Sequence, residues 1–519
     1  MSNHFSQQVT AFHDIDTPEP GVLVGYALLI EFLIQETNKV PPTPRRLAIV
    51  TDKHQRYNTE RWQVFTKRHK PNDDIISHLI FAIKYEGINL FILKQLFLTL
   101  EQETVKEYIL AEPTGQYSRR IWFLYEWLLD TKINIPDLKT GSYVEVVNTK
   151  LQYEGPITNS TRHRVKNNLP GTQEFCPMIN RTDKIEAYQD KDFSNKIEFG
   201  LKGRDKDLVR RTAAFLLLKD SKASFAIEGE IPPNLRARNW GKAIGQAGKK
   251  TLTIQELERL QNIVFGKNKL IQMGLRTQEG FIGEHDRETF VPIPDHISAK
   301  AEDLPTLMKG LIETNKLLND SQYDPVLMAT SIGFGFVFIH PFSDGNGRLH
   351  RYLIHHILMK KDYSSRDMIF PISAAILNNI SKYQEILEAF SEPRLELIDW
   401  EPTEKHNVKI LNETIDLYRY SDLTIQAEFL YECVEETIEE IIPNELKFLE
   451  QHNQMVEFIN AVATLPDTDI DLLIKFLIQN EGKLSKGKKE KFFDEMTEEV
   501  LNKIENKFAH VFINEPIDS

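Results

Sequence analysis

A run of apolar residues at 326–339 is the feature that most constrains how this chain can fold. The run is shorter than the ~20 residues that cross a bilayer, and it leads directly into the polar loop HPFSDGNGR, which begins at His340. Asp324 and Pro325 precede the run, and this pair is typical of a helix N-cap followed by proline at the first helical position. A further helix should begin near Gly345. The pattern therefore predicts a buried helix, a tight loop and a second helix.

Length and composition indicate a globular protein of several domains. The 519 residues favour roughly two to four domains, and 41% hydrophobic with 27% charged residues is typical of chains that fold. Lys and Arg number 63 against 76 Asp and Glu, and the formal charge of −13 weighs against a surface that binds nucleic acid or anionic lipid throughout. The two cysteines, Cys176 and Cys433, have no metal-ligand spacing. We therefore expect a cytoplasmic protein without a disulfide framework or a structural zinc site.

The first apolar stretch, at 21–34, lacks the features of a targeting segment. Glu31 interrupts it, and an acidic run at 14–19 lies where a signal peptide carries positive charge. We expect no targeting segment and no membrane partner.

Helical periodicity dominates the chain and predicts a mainly α fold. Apolar residues recur at helical spacing from 72 to 129, whereas 134–204 is rich in proline, glycine and asparagine and is expected to be an extended linker. Short β-leaning pieces around glycines at 274–294 indicate a hairpin. The predicted domains are an N-terminal helical region with the linker at 1–204, a core at 205–400 and a C-terminal helical region at 401–519.

The loop after the apolar run concentrates residues that bind phosphate. Gly345, Asn346 and Gly347 allow backbone N–H groups to converge at a helix N-terminus, where the helix dipole favours an anion. Arg348 and Arg351 are three positions apart and share one helix face, so both guanidinium groups can hold the oxygens of a polyphosphate. The segment is therefore predicted to be an anion cradle.

Two further side chains of this loop can supply chemistry. Asp344 is a hard oxygen ligand placed to hold a Mg²⁺ ion that phosphates also coordinate. His340 titrates near neutral pH and can take the proton of an attacking hydroxyl. Each residue alone has an ordinary interpretation, as a helix cap, a turn residue or part of a solvated helix face. Their density within one short segment favours phosphoryl or nucleotidyl transfer instead.

The segment 340–351, HPFSDGNGRLHR, resembles the signature of the Fic/Doc superfamily, HPF-x-[D/E]-GNGR-x-x-R, at every fixed position. The resemblance implies a Fic-type helical core with a small β-hairpin flap, and a protein adenylyltransferase that moves AMP from ATP to a hydroxyl side chain of a protein target. Gly347 favours this activity over the phosphorylation carried out by related Doc kinases, which have a bulkier residue there. The implied roles are His340 as general base, Phe342 as loop anchor, Asp344 as Mg²⁺ ligand, Gly345, Asn346 and Gly347 as the anion hole, and Arg348 and Arg351 as phosphate ligands.

A second segment, SFAIEG at 224–229, resembles the family's inhibitory motif, [S/T]-x-x-x-E-[G/N]. Gly229 and the prolines that follow it predict that a helix ends there and delivers Glu228 at its C-terminal end. The resemblance implies the second inhibitory class, in which Ser224 belongs to the motif and Glu228 pairs with Arg351, displacing the γ-phosphate of ATP. The alternative is that Glu228 is a capping or solvated carboxylate.

The resemblance also assigns residues that contact the target and the adenine. The segment 274–283 is similar to the family's flap, which binds the target main chain by strand addition. Tyr383 matches one member of a Tyr-Tyr pair near the adenine, and Gln384 replaces the other. The expected partner is a protein with a Ser, Thr or Tyr hydroxyl, either another protein or this chain itself. The implied flap residues are Thr277, Gln278, Glu279, Gly280, Phe281 and Ile282.

Two other functions stay open at this point. One is a hydrolase that removes AMP from a modified protein, with Glu228 activating water and His340 protonating the leaving hydroxyl. The other is a nucleotide-binding regulatory module without turnover. No role is predicted for the basic cluster at 162–166, for the lysine-rich loop at 483–491, or for the histidines within 350–356, so neither nucleic acid nor a histidine-bound metal is expected.

Overall fold

The structure of this chain is a computed structural model that describes residues 7–191, 193, 196, 204–265, 272–363 and 370–513. Helices dominate it, so the predicted mainly α class is confirmed. No described helix has the length and hydropathy needed to cross a lipid bilayer. The chain divides into two compact units, of which the first comprises Met1–Asp192, Ser221–Tyr363 and Ile372–Val434 and the second comprises Phe193–Asp220, Ser364–Pro371 and Glu435–Ser519.

A five-stranded sheet, which the helical pattern did not predict, opens the first unit. Its strands are β1 (Gln8–Phe12), β2 (Ile15–Val24), β3 (Leu47–Thr51), β4 (Tyr57–Asn58) and β5 (Trp62–Thr66). They run in the order β1-β2-β3-β5-β4, with β3 and β5 parallel and the other pairs antiparallel. Every residue of β3 is buried, as its near-continuous apolar sequence requires. Val24, Val50, Phe65 and Phe81 pack together in one buried cluster on this sheet.

The helices of the first unit begin and end at local sequence signals. Asp74, Asn89 and Thr182 are N-caps whose side chains accept a backbone hydrogen bond from the helix that follows. Asn38 and Asp130 end helices in the left-handed conformation. The α-helices are Tyr26–Thr37, Ile75–Tyr85, Leu90–Thr99, Gln102–Ala111, Gln116–Leu129, Asp183–Gln189, the C-terminal part of Lys206–Ala226, Asn234–Ile244, Ile254–Phe265, Leu304–Asn319, Pro325–Ile339, Asn346–Lys360, Ile372–Asn378, Ile380–Leu395, Asp416–Arg419 and most of Thr424–Glu436, with 3₁₀ turns at Lys67–His69 and Ala301–Asp303.

The segment predicted as an extended linker, 134–204, contains short strands and loops before its one described α-helix, Asp183–Gln189. The strands are β6 (Val144–Glu145), β7 (Thr158–Ser160) and β8 (Val165–Asn167), in the order β6-β8-β7. Residues 192, 194, 195 and 197–203 of the segment lie outside the described residues.

The basic cluster at 162–166 is not simply a solvated loop. Arg162 donates from Nη2 to Oε1 of Glu126 at 2.8 Å, and Nε2 of His163 lies 2.9 Å from Oε2 of the same carboxylate. Trp122 donates its indole N–H to Glu126 at 2.8 Å, and the Glu126 side chain is 8% exposed. Arg162 and His163, for which the sequence predicted no role, therefore have a structural one, because both bind a buried acid.

The second unit has a hydrophobic core of its own. Met455, Leu473, Leu477, Ile504 and Phe508 lie at its centre and are almost completely buried. The last α-helix of the unit, Glu498–Phe508, is amphipathic: it buries an apolar face in this core and exposes charged residues on the opposite face. The α-helices are the first part of Lys206–Ala226, Ile442–Val462, Asp467–Gln479, Lys486–Phe492 and Glu498–Phe508, with π-helical turns at Thr437–Ile441 and Ala509–Ile513.

The predicted buried helix, loop and second helix are confirmed in the first unit. The apolar helix, Pro325–Ile339, starts at Asp324, whose carboxylate accepts from the N–H groups of Val326 at 2.8 Å and Leu327 at 3.0 Å. Its residues from Val326 onward are all buried. The connecting loop, 340–345, leads into the arginine helix, Asn346–Lys360.

Two further pairs of strands complete the first unit. The predicted hairpin is present as β9 (Phe281–His285) and β10 (Pro292–Ile297), which pair antiparallel with an irregularity between Pro294 and His296. These strands lie a few residues later than the sequence suggested. The reason is that residues 275–280 do not join the strand pair but hydrogen-bond to the connecting loop and to the residue after β10. The second pair is β11 (Trp400–Pro402) and β12 (Val408–Ile410).

Candidate active site

His340 is held in an unusual backbone conformation at the end of the apolar helix. Its φ of 52° is left-handed, and its N–H donates to the carbonyl of Phe336 at 3.0 Å. The imidazole Nδ1 lies 3.2 Å from the carbonyl of Val337, so a neutral ring that donates there leaves Nε2 free to accept a proton. Burial, together with the positive charge of Arg276, lowers the pKa of His340 to about 4. At neutral pH this side chain is therefore a neutral base.

Asn346 closes the connecting loop. Its side-chain amide donates to the carbonyl of Phe342 at 2.8 Å and accepts from the N–H of Phe342 at 3.0 Å. The Phe342 ring is fully buried, as its implied anchoring role requires. The amide of Asn346 is therefore used within the loop, which leaves its backbone N–H as its donor to an anion.

The two glycines of the loop meet different neighbours. Gly345 has a φ of +91°, and a Cβ there would lie 2.8 Å from the ring of Phe265. Gly347 is in the first turn of the arginine helix, and a Cβ there would collide with Oε1 of Glu228. The Glu228 carboxylate therefore lies against the helix N-terminus, where an anion is most favoured.

Arg351 is the partner of the predicted inhibitory segment. Its Nη2 donates to Oε1 of Glu228 at 2.7 Å and to the carbonyl of Ser224 at 2.6 Å, while its Nε donates to Oγ of Ser224 at 3.2 Å. The Arg351 side chain is fully buried. The structure thus brings together the three residues that the motif resemblance had paired.

Glu228 lies in a turn and not in the helix that was expected to deliver it. The helix Lys206–Ala226 ends two residues earlier, and Gly229 follows with a φ of +69°. We call residues 227–230 the blocking turn. Burial acts to raise the pKa of Glu228, but the charges of Arg351 and Arg348 outweigh burial and hold the pKa below its usual value. The carboxylate is therefore ionised in its contact with Arg351.

A second acid of the blocking turn, Glu230, was missed by sequence reasoning. Nη1 of Arg348 donates to Oε1 of Glu230 at 2.5 Å, and Arg236 lies 2.9 Å from the other carboxylate oxygen. The Arg348 guanidinium also lies over the ring of Phe265, 4.9 Å from its centre. The available signal was the Glu-Gly-Glu pattern at 228–230, which places an acid on each side of the glycine. Each signature arginine is thus bound by one acid of the same turn.

Asp344 is half-exposed at the mouth of the cradle. Its Oδ1 accepts from the N–H of Gly345 at 2.6 Å and lies 3.3 Å from Nη2 of Arg348. No group of three or more His, Cys, Asp or Glu side chains that could hold a metal occurs in the described part of the chain. A Mg²⁺ ion bound by Asp344 would take its other ligands from phosphate oxygens and water, which is the usual arrangement of this ion with nucleotides. The residues fit such an ion.

The segment implied to be the flap lies beside the connecting loop. Leu275 forms a β-bridge with Phe342, and Arg276 donates its N–H to the carbonyl of Pro341 at 3.0 Å. Thr277, Gln278, Glu279 and Gly280 lead into β9, which contains Phe281 and Ile282. Three of these four residues have structural contacts: Gln278 accepts from Nη1 of Arg276 at 2.8 Å, and Glu279 and Gly280 accept from the N–H groups of Ala301 and Ser298, both at 2.9 Å. Ile282 is 46% exposed.

Tyr383 lies in the core. Its ring is nearly parallel to that of His350, with centres 6.1 Å apart, and packs against Phe429 at 6.0 Å. Burial raises the pKa of Tyr383 to about 12. The structure therefore places this side chain among buried rings, and a contact with adenine stays a prediction.

Residues 251–358 match the family model described as Fic/DOC family. The protein adenylyltransferase Fic of Drosophila melanogaster is 27% identical over 216 residues, which cover 41% of this chain and 39% of that protein. Its namesake in Drosophila persimilis is 28% identical over 196 residues, covering 37% of this chain and 34% of that protein. The chain thus spans about two fifths of the length of these relatives.

Among solved structures, a Fic family protein from Desulfovibrio desulfuricans G20 is similar over 59% of this chain and 90% of its own, with 16% identity and a TM-score of 0.36. The family match covers the hairpin, the apolar helix, the connecting loop and most of the arginine helix. Residues 251–358 of this chain are therefore a domain of the Fic/DOC family.

Proposed function

We propose that this protein transfers AMP from ATP to a hydroxyl side chain of a protein target, in a reaction that depends on Mg²⁺ and that Glu228 inhibits. The names of the relatives and the Fic/DOC domain support adenylyl transfer. The observation that carries the proposal is the neutral imidazole of His340 at the end of a loop whose glycines and arginines form an anion cradle.

The proposed reaction needs one proton acceptor and a site for phosphate charge. The target hydroxyl oxygen attacks the α-phosphorus of ATP while its proton passes to Nε2 of His340, and the bond to pyrophosphate breaks. The products are the AMP-modified side chain and pyrophosphate. Backbone N–H groups of 345–347, with Arg348 and Arg351, would bind the phosphate oxygens. Mg²⁺, when bound at Asp344, supplies neutralisation of phosphate charge.

Glu228 would inhibit by occupying the place of a phosphate. Its carboxylate lies against Gly347 and 2.7 Å from Nη2 of Arg351, the contacts that a terminal phosphate of ATP would need. Glu230 would add to the block because it binds Arg348. Suppression of transfer by roughly 100-fold requires only about 2.7 kcal/mol. One ion pair with a buried arginine is sufficient for that.

The hairpin is the proposed binding surface for the target. The segment before the hairpin hydrogen-bonds to the connecting loop through Arg276, and Ala299 after the hairpin hydrogen-bonds to the last residue of the apolar helix, Ile339. A target strand added to the edge of the hairpin would therefore pass close to His340. Thr277 to Ile282 is the part of this surface that the family resemblance implies. The target would be a protein with a Ser, Thr or Tyr hydroxyl, this chain included.

Two wider assignments accompany this proposal. The first is a functional division of the chain in which the core at 205–400 carries out the chemistry. The helical region with the linker at 1–204 and the helical region at 401–519 flank this core. We also propose a cytoplasmic location, because the sequence has only two cysteines, Cys176 and Cys433, and both are buried.

The test is incorporation of labelled AMP in a cell lysate by the wild-type chain and three variants of it. Glu228→Gly should label proteins at a rate roughly 100-fold above wild type, because it removes the competitor and leaves the catalytic groups. His340→Ala in the same background should erase the gain, and Glu107→Gly, at an exposed acid of another helix, should behave as wild type. Nucleotide binding without labelling by Glu228→Gly would support the regulatory module instead. Loss of AMP from a pre-labelled protein, dependent on both Glu228 and His340, would support the hydrolase.

A further inference from the structure

Arg276 is a buried cation that binds the backbone around His340. Its side chain is 6% exposed. Nε donates to the carbonyl of His340 at 2.9 Å, Nη1 donates to the carbonyl of Gln278 at 2.8 Å, and Nη2 donates to the carbonyl of Ala299. The backbone N–H of the same residue donates to the carbonyl of Pro341 at 3.0 Å. One side chain therefore joins the connecting loop to both ends of the hairpin.

These bonds hold the strained backbone of His340. A left-handed φ at a residue other than glycine costs free energy, and it persists only where surrounding contacts stabilise it. Arg276 binds the carbonyl that follows this φ, and Ala299, which lies just after β10, donates its N–H to the carbonyl of Ile339 at 3.3 Å. The direction of the imidazole thus depends on the guanidinium.

The same guanidinium acts on the charge of the imidazole. Two titratable or charged groups lie near the imidazole of His340. Arg276, from the segment before β9, acts on its charge, and the ring of His296, from β10, lies close to it. Burial lowers the pKa of His296 to about 3, so that ring is neutral and adds no charge at pH 7. Glu279 lies 3.7 Å from Arg276 and offsets part of its charge. Burial is the larger cause of the low pKa of His340, and the positive charge of Arg276 lowers this pKa further.

We propose that Arg276 is a positioning residue for the proton acceptor: its hydrogen bonds fix the backbone of His340, and with it the imidazole, beside the hairpin. This inference rests on the proposed adenylyl transfer for its effect on rate. Its effect on the titration of His340 does not depend on which reaction the site performs.

The experiment compares Arg276→Met and Arg276→Lys with the parent chain by NMR titration of His340, assigned with His340→Ala. Arg276→Met should raise the pKa of His340, because the nearby positive charge is lost, and Arg276→Lys should largely restore the low pKa. In the Glu228→Gly background, Arg276→Met should lower kcat at least tenfold with the KM for ATP changed less than twofold, and the acidic limb of kcat/KM should move to higher pH.

Arg394→Met is the matched control. Arg394 is a partly buried arginine, and it donates to the carbonyls of Phe390 and Leu417 and not to the connecting loop. It should lower the melting temperature as Arg276→Met does and leave the titration of His340 unchanged. An unchanged His340 pKa in Arg276→Met would overturn the inference and leave Arg276 a purely structural residue. If Glu228→Gly transfers no AMP while Arg276→Met shifts the His340 pKa, the proposed reaction fails and the positioning role stands.

Discussion

At the scale of single residues, the two signature arginines are covered by acids of unequal effect. Glu228 binds Arg351 and also lies against Gly347 in the cradle. Glu230 binds Arg348, but its side chain is 35% exposed and shared with Arg236. An ion pair of that exposure contributes about 0.2–1 kcal/mol. Glu230→Gln should therefore raise AMP transfer by less than about fivefold, measured as labelled AMP incorporated per minute. A gain equal to that of Glu228→Gly would show that the two acids inhibit equally and would contradict this ranking.

Asp344 gives a second prediction, for the metal. Asp344 is the carboxylate of the signature loop that would hold the Mg²⁺ ion, with phosphate oxygens and water as the other ligands. Asp344→Asn in the Glu228→Gly background should raise the MgCl₂ concentration needed for half-maximal transfer at least tenfold. Asp295→Asn, at an exposed acid of β10, is the control. Superimposable Mg²⁺ titrations of the parent and Asp344→Asn would show that the metal is held elsewhere.

The site residues that could be identified from the sequence are those that lie close together along the chain. His340, Asp344 and the glycines stand in one contiguous segment, so their proximity needs no knowledge of the fold. Arg276 lies 64 positions from His340, and Glu230 lies 118 positions from Arg348. No periodicity or spacing connects residues so far apart, and their contacts become visible only when the chain is folded.

At the scale of elements, the segment 158–167 and the helix Gln116–Leu129 are joined by one buried acid, Glu126. Burial tends to raise its pKa, but hydrogen bonds from His163, Arg162 and Trp122 hold the pKa well below its usual range. Its stabilising effect is therefore present at neutral pH and is lost as the pH falls below the usual carboxyl range. Glu126→Gln should lower the free energy of unfolding by about 3 kcal/mol at pH 7 and by much less at pH 3, measured by urea unfolding. An equal loss at both pH values would assign the effect to packing.

The helices and strands differ in how well their positions can be predicted from the sequence. The apolar helix could be placed exactly at Pro325 because Asp324 caps it locally, and Gly345 could be placed at the start of the next helix for a similar reason. The N-terminal sheet was not predicted, because β3 pairs in parallel with β5 and four of its five strands have five residues or fewer. Such strands are stabilised by partners distant in sequence, and their own residues carry little periodic signal.

At the scale of the whole molecule, each of the two units has a separate buried core. A substitution that destabilises one core is therefore expected to leave the stability of the other unchanged. Leu473 is fully buried at the centre of the second unit, on the helix Asp467–Gln479. Leu473→Ala should destabilise that core by about 2–5 kcal/mol, because it removes buried methyl groups and leaves a cavity. Hydrogen exchange should accelerate in the helices of 442–508, while AMP transfer by the Glu228→Gly background keeps its rate at 25 °C.

The control on the same helix is Ile478→Ala, at a residue 40% exposed, which should change neither hydrogen exchange nor AMP transfer. Leu353→Ala, at a fully buried position of the arginine helix, should lower transfer instead. Equal loss of transfer in Leu473→Ala and Leu353→Ala would mean that the chain behaves as one cooperative body.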